Sequence, residues 1–585
     1  MARYGINPLQ RLRLMLAQLG RPGAVPAAEW QFHAELIDVF NSLRDLHTRY
    51  RLSEPFTTAA AVLPFLLKEF TEEGRRRYLV GRRQADQGEL GHPTFRFGVE
   101  VTHWNGVPIA RAVDRFAERF PGANPEARHA RAVERFTVRS LAFGPPPDED
   151  WIVVDYLDLT NQPQKIRLTW DVRSLVPAAE VDSANLPVGI DVEGAQLARL
   201  RALLFAPEFI AAERSGEPVA QGGDEQILVT AGWSTFFEAR KVATDGATFG
   251  HLRIRTFYTQ DVVGFVREFI RLLGTLPQDG LVLDIRGNGG GAVAASELSL
   301  QALTARPFQP VQAQFAATPL NLRIARANDD MEPWRRSMEQ AMETGTPQSA
   351  AIPFFPAELF EAVPQSYFGP IVLITDARCY SAADIFAAGF QDNGIGTILG
   401  VDGNTGAGGG QVWKTADLLG SLPSAEDFPF RPLPGGAELT VVIRRLLRVG
   451  PDTAGTPLED YGVVPHAQHV TTRADIMDND ADLMAAAAAE LAKLKRRRFD
   501  VELHTAGDEP TVTFHVLGID RADVVVDGRP RLTVDLGGNP APTVIPDTTT
   551  PNLIVVTGYD AGQPVALRRF IRAGDTLVPQ TTLTL

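Results

Sequence analysis

The chain has 585 residues, more than a single hydrophobic core usually supports, so its length predicts about three or four domains. Hydrophobic residues make up 44% and charged residues 22%, a balance that is typical of globular proteins and excludes a disordered or fibrous chain. The formal net charge is -14 and the basic residues are scattered, so most of the surface would repel a polyanion. Nucleic acid is therefore not expected as a partner.

The N-terminal residues 1–23 lack the apolar core and the small-residue cleavage site of a secretory signal. No run of about 18 apolar residues occurs, so no membrane span is expected. Cytoplasmic localisation is the expectation, with export by another route left open. Cys379 is the only cysteine, which excludes an intramolecular disulfide, and no His/Cys spacing suits a structural zinc site. Homo-oligomer formation also stays open.

Residues 1–90 are predicted to form an N-terminal helical region. Leu36, Phe40, Leu43 and His47 recur at helical spacing, so His47 is expected to continue the apolar face of a helix over residues 28–47. On this pattern alone, a hydrogen-bonded core histidine is the simplest interpretation. A second helix is predicted for residues 58–73.

Residues 91–175 change to a strand pattern. Two strand-like runs flank Asn105-Gly106, the dipeptide best suited to a tight hairpin turn, and a short helix is predicted for residues 110–120. The region resembles a PDZ-like module, whose usual role is to accept an extended peptide along a sheet edge. A simple β-rich insertion is the alternative interpretation.

The remainder divides into three predicted regions. Residues 176–245 are rich in Ala, Pro and Gly and are predicted to be an insertion or linker. Residues 246–499 alternate short apolar strands with helices, which predicts an α/β layer whose sheet is covered on both faces. Residues 500–585 hold short alternating runs between Gly, Pro and Asp turns, which predict a C-terminal β-sandwich.

Ser381 lies where the apolar strand PIVLIT meets a helix that begins near Ala382. Such a position exposes a hydroxyl, and the first N–H groups of the helix can stabilise a developing oxyanion. Helix capping is the alternative role, since serine is a preferred N-cap residue. Cys379, two residues earlier, is interpreted as a small buried hydrophobic residue rather than as the nucleophile.

A glycine turn, GLVLDIRGNGGG, ends a second buried strand over residues 280–291. Glycines allow the backbone to approach a ligand closely, and free N–H groups would line such a turn. The segment does not match the phosphate-binding pattern GxxxxGK[ST], and no GxGxxG opens a helix here.

Together, the two segments resemble a family of serine proteases that comprises carboxyl-terminal processing proteases, tricorn core proteases and the chlamydial protease-like activity factor. The family's DLRxNxGG turn is matched by residues 284–291. Its nucleophile segment is matched by residues 381–392, with Asp384 where the family usually has glutamate. The likeness covers roughly residues 28–490. It implies a crotonase-like α/β protease core with Ser381 as the nucleophile.

Two branches of this family activate the serine differently. The processing-protease branch has a lysine 25 residues after the nucleophile, where this sequence has Gly406, and Lys414 is a weaker candidate in a different local context. The tricorn-like and chlamydial branch uses histidine and glutamate. The segment Leu46-His47-Thr48 resembles its histidine segment, and residues 458–465 resemble its Glu-Asn-x-Gly-Val-x-Pro segment.

The resemblance therefore implies a catalytic triad of His47, Ser381 and Glu459. The histidine would act as the general base, because its ordinary pKa lies near neutrality, and Glu459 would hold the imidazole in position. Without the resemblance, Glu459 would be interpreted as a solvated surface charge.

The implied oxyanion hole consists of the amide of Gly289 or Gly290 and the amide of Ala382. The implied activity is that of a serine endopeptidase that hydrolyses protein or peptide substrates without a metal or an organic cofactor. A catalytically inactive ligand- or peptide-binding protein on the same fold is the first alternative. A crotonase-like enzyme that acts on small molecules is the second. The three triad residue types count against the first, and the PDZ-like and His47 segments count against the second.

Overall fold

A computed structural model describes most of the chain, and all structural statements concern the residues that it describes. These are residues 4–23, 28–84, 92–144, 146–174, 192–206, 225–244, 247–410, 412–422, 431–505, 509–537 and 541–583.

The first third of the chain holds two helices followed by a β-rich module. Its elements are α1 (Pro8–Leu19), α2 (Glu29–Asn41), β1 (Arg49–Arg51), β2 (Ala59–Val62), β3 (Phe65–Glu72), β4 (Arg75–Arg83), β5 (Glu100–Trp104), β6 (Val107–Pro108), α3 (Ile109–Ala117), α4 (Pro125–Arg135), β7 (Val138–Ser140), β8 (Trp151–Leu157), β9 (Pro163–Thr169), β10 (Asp171–Ser174) and α5 (Val192–Phe205). A six-stranded sheet has the order β3-β4-β5-β8-β9, with β6 paired to β5. Its inner face shares one hydrophobic core with α3 and α4.

The prediction that residues 1–90 are helical is wrong, because strands β1 to β4 lie within them. The predicted helix over residues 58–73 is instead β2 and β3. Pro64 separates the two strands, since proline interrupts helices and favours extended backbone before it. Along β3, buried Phe65 and Leu67 alternate with more exposed neighbours, which is the period of a strand.

His47 also lies outside the helix predicted for it. Helix α2 ends at Asn41, and Arg44 then adopts a left-handed conformation with φ of 57°. An α-helix cannot continue through such a residue. His47 consequently lies in the loop that leads into β1.

The central region is built on a mixed seven-stranded sheet. Its elements are β11 (Glu225–Ile227), β12 (Phe237–Thr244), β13 (Ala247–Ile254), α6 (Val262–Thr275), β14 (Leu281–Asp284), α7 (Val293–Gln301), β15 (Gln312–Phe315), α8 (Pro319–Arg326), α9 (Glu332–Thr344), β16 (Ile352–Pro353), α10 (Ala357–Glu361), β17 (Ile371–Thr375), α11 (Ala382–Asp392), β18 (Thr397–Gly400), β19 (Val412–Lys414), α12 (Thr415–Gly420), β20 (Glu438–Val442), β21 (Arg444–Leu447), β22 (Ala467–Gln468), α13 (Arg473–Met477) and α14 (Ala481–Ala492). The strand order is β11-β12-β13-β14-β17-β18-β22.

Strands β13, β14, β17, β18 and β22 of this sheet run parallel. Helices α6, α7 and α11 contribute to the core on one face, and α14 covers the other. The sheet is therefore buried on both sides, as its short apolar strands predict. Because β14 and β17 are parallel neighbours, the segments that follow them leave the sheet at the same edge.

The sheet begins earlier than the predicted boundary at residue 246. Strands β11 and β12, within residues 225–244, are its first two members, so these residues belong to the central region and are not a linker. Elsewhere in the predicted insertion the structure describes α5, whereas residues 176–191, 207–224 and 245 lie outside the described residues.

The last region consists of two antiparallel sheets around one hydrophobic core. Its strands are β23 (Arg498–His504), β24 (Thr511–Leu517), β25 (Arg521–Val526), β26 (Arg529–Asp535), β27 (Thr543–Val544), β28 (Leu553–Asp560), β29 (Gln563–Ala573) and β30 (Thr576–Pro579). Among the helices described, none combines the length and the apolar character that a bilayer crossing requires.

Candidate active site

Ser381 lies at the junction between the turn that follows β17 and the first residue of α11. Its backbone has φ of 58° and ψ of -121°, a combination that is unfavourable for residues with a side chain. Its side chain makes no N-cap hydrogen bond to α11, so the capping interpretation does not describe it. Strained residues of this kind cluster at functional sites, where the surrounding structure holds them in place.

Gly290 lies directly against Ser381. A Cβ atom on this glycine would be 2.7 Å from the Cβ of Ser381 and 2.9 Å from the amide nitrogen of Ala382. Its φ of 101° is also a conformation that favours glycine. The glycine turn and the start of α11 are therefore in contact, and no larger residue fits at this position.

Hydrogen bonds hold the glycine turn in a fixed shape. The Gly290 amide donates to Oδ1 of Asn288 at 2.9 Å, and the Asn288 side chain donates to the carbonyl of Ile254. The carbonyl of Gly290 accepts from the Phe257 amide. By contrast, the amides of Gly289 and Ala382 donate to no acceptor within the described part of the chain.

Two ion pairs of Arg286 stabilise the glycine turn. Arg286 pairs with the carboxylates of Asp284 and Asp480, each at 2.7 Å. Burial alone would raise the pKa of the Asp284 carboxyl, but the guanidinium groups of Arg286 and Arg253 hold it well below its ordinary value. Asp284 is therefore a structural anion, and the matched Asp-x-Arg motif braces the turn.

A second aspartate fixes the turn over residues 376–381, here called the nucleophile turn because it holds the proposed nucleophile Ser381. Oδ1 of Asp376 accepts from the amides of Gly287, Arg378 and Cys379, each at 3.0 Å. The Arg378 side chain pairs with Oδ2 of Asp376 at 2.8 Å. The glycine turn and the nucleophile turn thus share one carboxylate, which fixes the distance between them.

His47 reaches this region from the N-terminal part of the chain. It is only 3% exposed, and its ring lies 4.7 Å from the ring of Tyr380, the residue that precedes Ser381. The amide of His47 donates to Oδ1 of Asp45 at 2.9 Å. The structure therefore places His47 beside the residue that precedes Ser381, and the catalytic role that the resemblance implies for His47 stays a prediction.

Glu459 is half-buried near the same region. Both carboxylate oxygens accept from the amide of Leu446, at 2.9 and 3.0 Å. Burial raises the pKa of this carboxyl to about 8, and the nearby charge of Asp45 raises it further, whereas the Leu446 amide and Arg444 act in the opposite direction. The interpretation of Glu459 as a solvated surface charge is therefore wrong.

The segment 404–410, here called the glycine strap, joins these elements. A Cβ on Gly409 would lie 3.3 Å from Oε1 of Glu459. Asp384 of α11 accepts from the amides of Ala407 and Gly408, at 3.3 and 2.8 Å. Burial raises the pKa of Asp384 to about 7. The shorter side chain at this family position thus still anchors the strap to the nucleophile helix.

Position 406 leaves no room for a lysine base. A Cβ on Gly406 would lie 2.6 Å from the Cys379 carbonyl oxygen and 2.6 Å from Cδ2 of Tyr380. Lys414 ends β19, and its amide donates to the Asp417 side chain at the start of α12. The strap thus excludes a side chain where the processing-protease branch carries its lysine.

Cys379 is a structural residue. Its thiol is fully buried and donates to the carbonyl of Ile285 at 3.1 Å. Burial raises the pKa of the thiol well above its ordinary value, which disfavours the thiolate that a nucleophile needs. No group of three or more His, Cys, Asp or Glu side chains in the described ranges could hold a metal ion.

The family comparison agrees with this arrangement. Residues 248–466 match the model of peptidase family S41. This segment is similar to an S41 peptidase domain, and the chain is a serine peptidase. Ser381, the glycine turn and the glycine strap all fall within the matched segment. His47 lies far outside that segment, and no curated protein sequence matches the chain.

Solved structures resemble this chain over most of its length. The crystal structure of mature CPAF has a TM-score of 0.58 and 16% identity, and the alignment covers 84% of this chain and 92% of that one. Mature CPAF complexed with lactacystin gives a TM-score of 0.57 and 17% identity, with 84% and 93% covered. At these identities, the likeness establishes a shared fold.

Proposed function

We propose that this S41 peptidase cleaves peptide bonds with Ser381 as nucleophile, His47 as general base and Glu459 as the acidic residue of the triad. The observation that carries the proposal is the contact between two distant segments: the imidazole of His47 lies on Tyr380, and the next residue is the strained Ser381. A base that acts on a serine needs this kind of proximity.

In the proposed reaction, His47 removes the hydroxyl proton of Ser381 while the oxygen attacks the substrate carbonyl. The imidazolium then returns this proton to the leaving amine, and water hydrolyses the acyl-enzyme. The carbonyl oxygen becomes an oxyanion during the attack. Donors that point at this oxygen lower the barrier, and the loss of one costs about 100- to 1,000-fold in rate.

Hydrogen bonding favours Gly289 over Gly290 as a donor to this oxyanion. The Gly290 amide is already engaged by Asn288, whereas the amides of Gly289 and Ala382 have no acceptor in the described residues. We assign these two amides to the oxyanion hole. The role of Gly290 is then steric: because it has no side chain, the glycine turn can approach Ser381 closely.

Glu459 would stabilise the imidazolium that forms at His47. Asp45 lies near both residues, because it accepts from the His47 amide and its charge raises the pKa of the Glu459 carboxyl. With a pKa of about 8, Glu459 is largely protonated at neutral pH and gains its charge in mildly alkaline solution. The proposed enzyme therefore becomes more active as the pH rises toward this value.

We propose an endopeptidase whose substrate binds as an extended strand. One edge of the β-rich module is already partly paired, because the amide of Thr71 in β3 donates to the carbonyl of Thr471. At the opposite edge, β9 pairs only with β8 among the described strands. The β9 edge is thus the better candidate for strand addition by a peptide.

A fluorophosphonate probe tests the nucleophile without knowledge of the substrate. The intact protein should become labelled on Ser381, and Ser381→Ala should abolish labelling. Cys379→Ser is the matched control, because it changes a nearby side chain that we assign to packing, and it should label like the wild type. Mapping of the label to any other residue, or undiminished labelling of Ser381→Ala, would refute the assignment.

A further inference from the structure

Tyr380 occupies the centre of the proposed site, although no motif assigns it a role. The residue is 2% exposed, and its ring contacts two groups from distant parts of the chain. The His47 ring is 4.7 Å away, and the guanidinium carbon of Arg131, in helix α4 of the β-rich module, is 5.3 Å from the ring centroid. The tyrosine ring therefore contacts both the proposed base and a buried cation.

Hydrogen bonds fix the same residue from three directions. Its amide donates to the carbonyl of Asn288 in the glycine turn, and its carbonyl accepts from the Ala383 amide in α11. Its phenol oxygen accepts from the amide of Leu46 at 3.2 Å. Tyr380 thus connects the glycine turn, helix α11 and the loop over residues 42–48, here called the histidine loop.

The glycine strap is shaped around this ring. A Cβ on Gly408 would lie 1.9 Å from Cζ of Tyr380, and one on Gly406 would lie 2.6 Å from Cδ2. Non-bonded atoms do not approach each other this closely, so both positions must be glycine for the ring to fit. The space that the glycines leave empty is filled by the tyrosine.

The histidine loop has little regular structure to hold it. Residues 42–48 lie between the end of α2 and the start of β1. The Leu46 amide, next to His47, donates to Tyr380, and the imidazole rests on the tyrosine ring. A rigid aromatic side chain can hold such a loop at low entropic cost, because it has only two rotatable side-chain bonds.

We propose that Tyr380 is a positioning residue that sets the distance between His47 and Ser381, and that the guanidinium of Arg131 holds the ring through its cation–π contact. This inference rests on the proposed triad. Through Arg131, the β-rich module acquires a direct effect on the reaction, in addition to any role in substrate binding. Tyr380 itself does not exchange a proton with the substrate.

The test compares the rate of fluorophosphonate labelling across pH for Tyr380→Leu, Tyr380→Phe, Arg131→Met and His47→Ala. Tyr380→Leu should slow labelling by about 100-fold, because a shift of about 1 Å between reacting groups has effects of this size. Tyr380→Phe keeps the ring and should recover most of the rate. The labelling rate of Arg131→Met should lie between the rates of these two variants. In Tyr380→Leu the pH at which labelling reaches half its maximum should also move, since the surroundings of His47 change.

Tyr367→Phe is the matched control for removal of a buried hydroxyl. Tyr367 is also buried in the central region, and its hydroxyl donates to the carbonyl of Pro277. This variant should keep both the rate and the pH profile. A lower melting temperature of Tyr380→Leu with an unchanged labelling rate and pH profile would reduce Tyr380 to a packing residue and overturn the inference.

The outcomes also separate this inference from the triad. If His47→Ala labels as fast as the wild type, the triad itself fails. If His47→Ala is slow but both Tyr380→Phe and Tyr380→Leu stay within about twofold of the wild type, the positioning role alone fails. If Tyr380→Leu does not fold, Arg131→Met decides, and a wild-type rate and profile for it would refute the role of Arg131.

Discussion

The Cα of Gly290 faces Ser381 so closely that a methyl group on the glycine would lie 2.7 Å from the serine Cβ. This contact places the glycine turn and the start of α11 in a single rigid unit. The amides that we assign to the oxyanion hole belong to the two halves of this unit. Any side chain at position 290 must therefore separate them.

Gly290→Ala should reduce the fluorophosphonate labelling rate by about 100-fold or more, because it displaces the proposed donors from the reacting oxygen. Gly274→Ala is the matched control: it lies in α6 of the same region, and a Cβ there would meet no atom within 4 Å. The control should label normally and gain slightly in stability, since alanine favours a helix. Equal labelling of the two variants would contradict this account of the turn.

Placing a lysine at the processing-protease position should not restore activity to a chain without its histidine. The double variant His47→Ala with Gly406→Lys should stay inactive toward the fluorophosphonate, because the Cβ of residue 406 would collide with Tyr380 and the Cys379 carbonyl. Gly406→Ala alone should already lower the melting temperature. Recovery of labelling in the double variant would mean that the strap can open and that a lysine mechanism is compatible with this fold.

At about pH 9, where the Glu459 carboxyl is ionised, Glu459→Gln should lower the activity by a factor on the order of 10,000, as expected for the acidic member of a triad. Burial raises the pKa of this carboxyl to about 8, so the wild-type rate should climb as the pH passes from about 7 to about 9 and Glu459 ionises. This climb should be absent in Glu459→Gln. Labelling rates across this pH range measure both effects, with the exposed Glu358→Gln as control. An unaltered pH profile in Glu459→Gln would remove Glu459 from the triad.

Glu297 should make the fold less stable as the pH rises. The residue is fully buried, Oε2 has no hydrogen-bond partner in the described residues, and burial raises its pKa to about 8 from an ordinary value of 4.5. Between these values the folded state keeps a proton that the unfolded state releases. The free energy of unfolding therefore falls, by at most about 1.4 kcal/mol per pH unit for this group.

Glu297→Gln removes this ionisation and preserves the shape of the side chain. Melting temperatures measured from pH 5 to pH 8 should fall less steeply for this variant than for the wild type, and the gap should widen with pH. The exposed Glu358→Gln should follow the wild-type curve. Parallel curves for Glu297→Gln and the wild type would show that Glu297 does not titrate in this range.

The sequence motifs identified the glycine turn and the turn before Ser381, because both are local patterns. One is an apolar strand followed by a run of glycines, and the other is an apolar strand followed by a short turn and a helix. The helix predicted to reach His47 is wrong, although the apolar residues keep helical spacing up to residue 47. The left-handed conformation of Arg44 prevents the helix from continuing that far. The prediction from local spacing is also wrong for β2 and β3, where Pro64 interrupts the apolar run.

Tyr380 could not be recognised from its neighbours in the sequence, because its contacts to His47 and Arg131 come from residues more than 200 positions away. One signal was available. The run Gly406-Ala407-Gly408-Gly409-Gly410 has more glycines than a turn needs, and repeated glycines indicate that another group approaches the backbone. The identity of that group requires the three-dimensional structure.

Strand β1 begins two residues after His47 and pairs with β20, with Tyr50 opposite Leu439. A ribosome makes the histidine early, the serine much later, and β20 and Glu459 later still. After Ser381 is made and before β20 is made, the nascent chain carries the proposed nucleophile while β1 still lacks the strand with which it pairs. The order of synthesis thus postpones completion of the proposed triad until Glu459 has been translated.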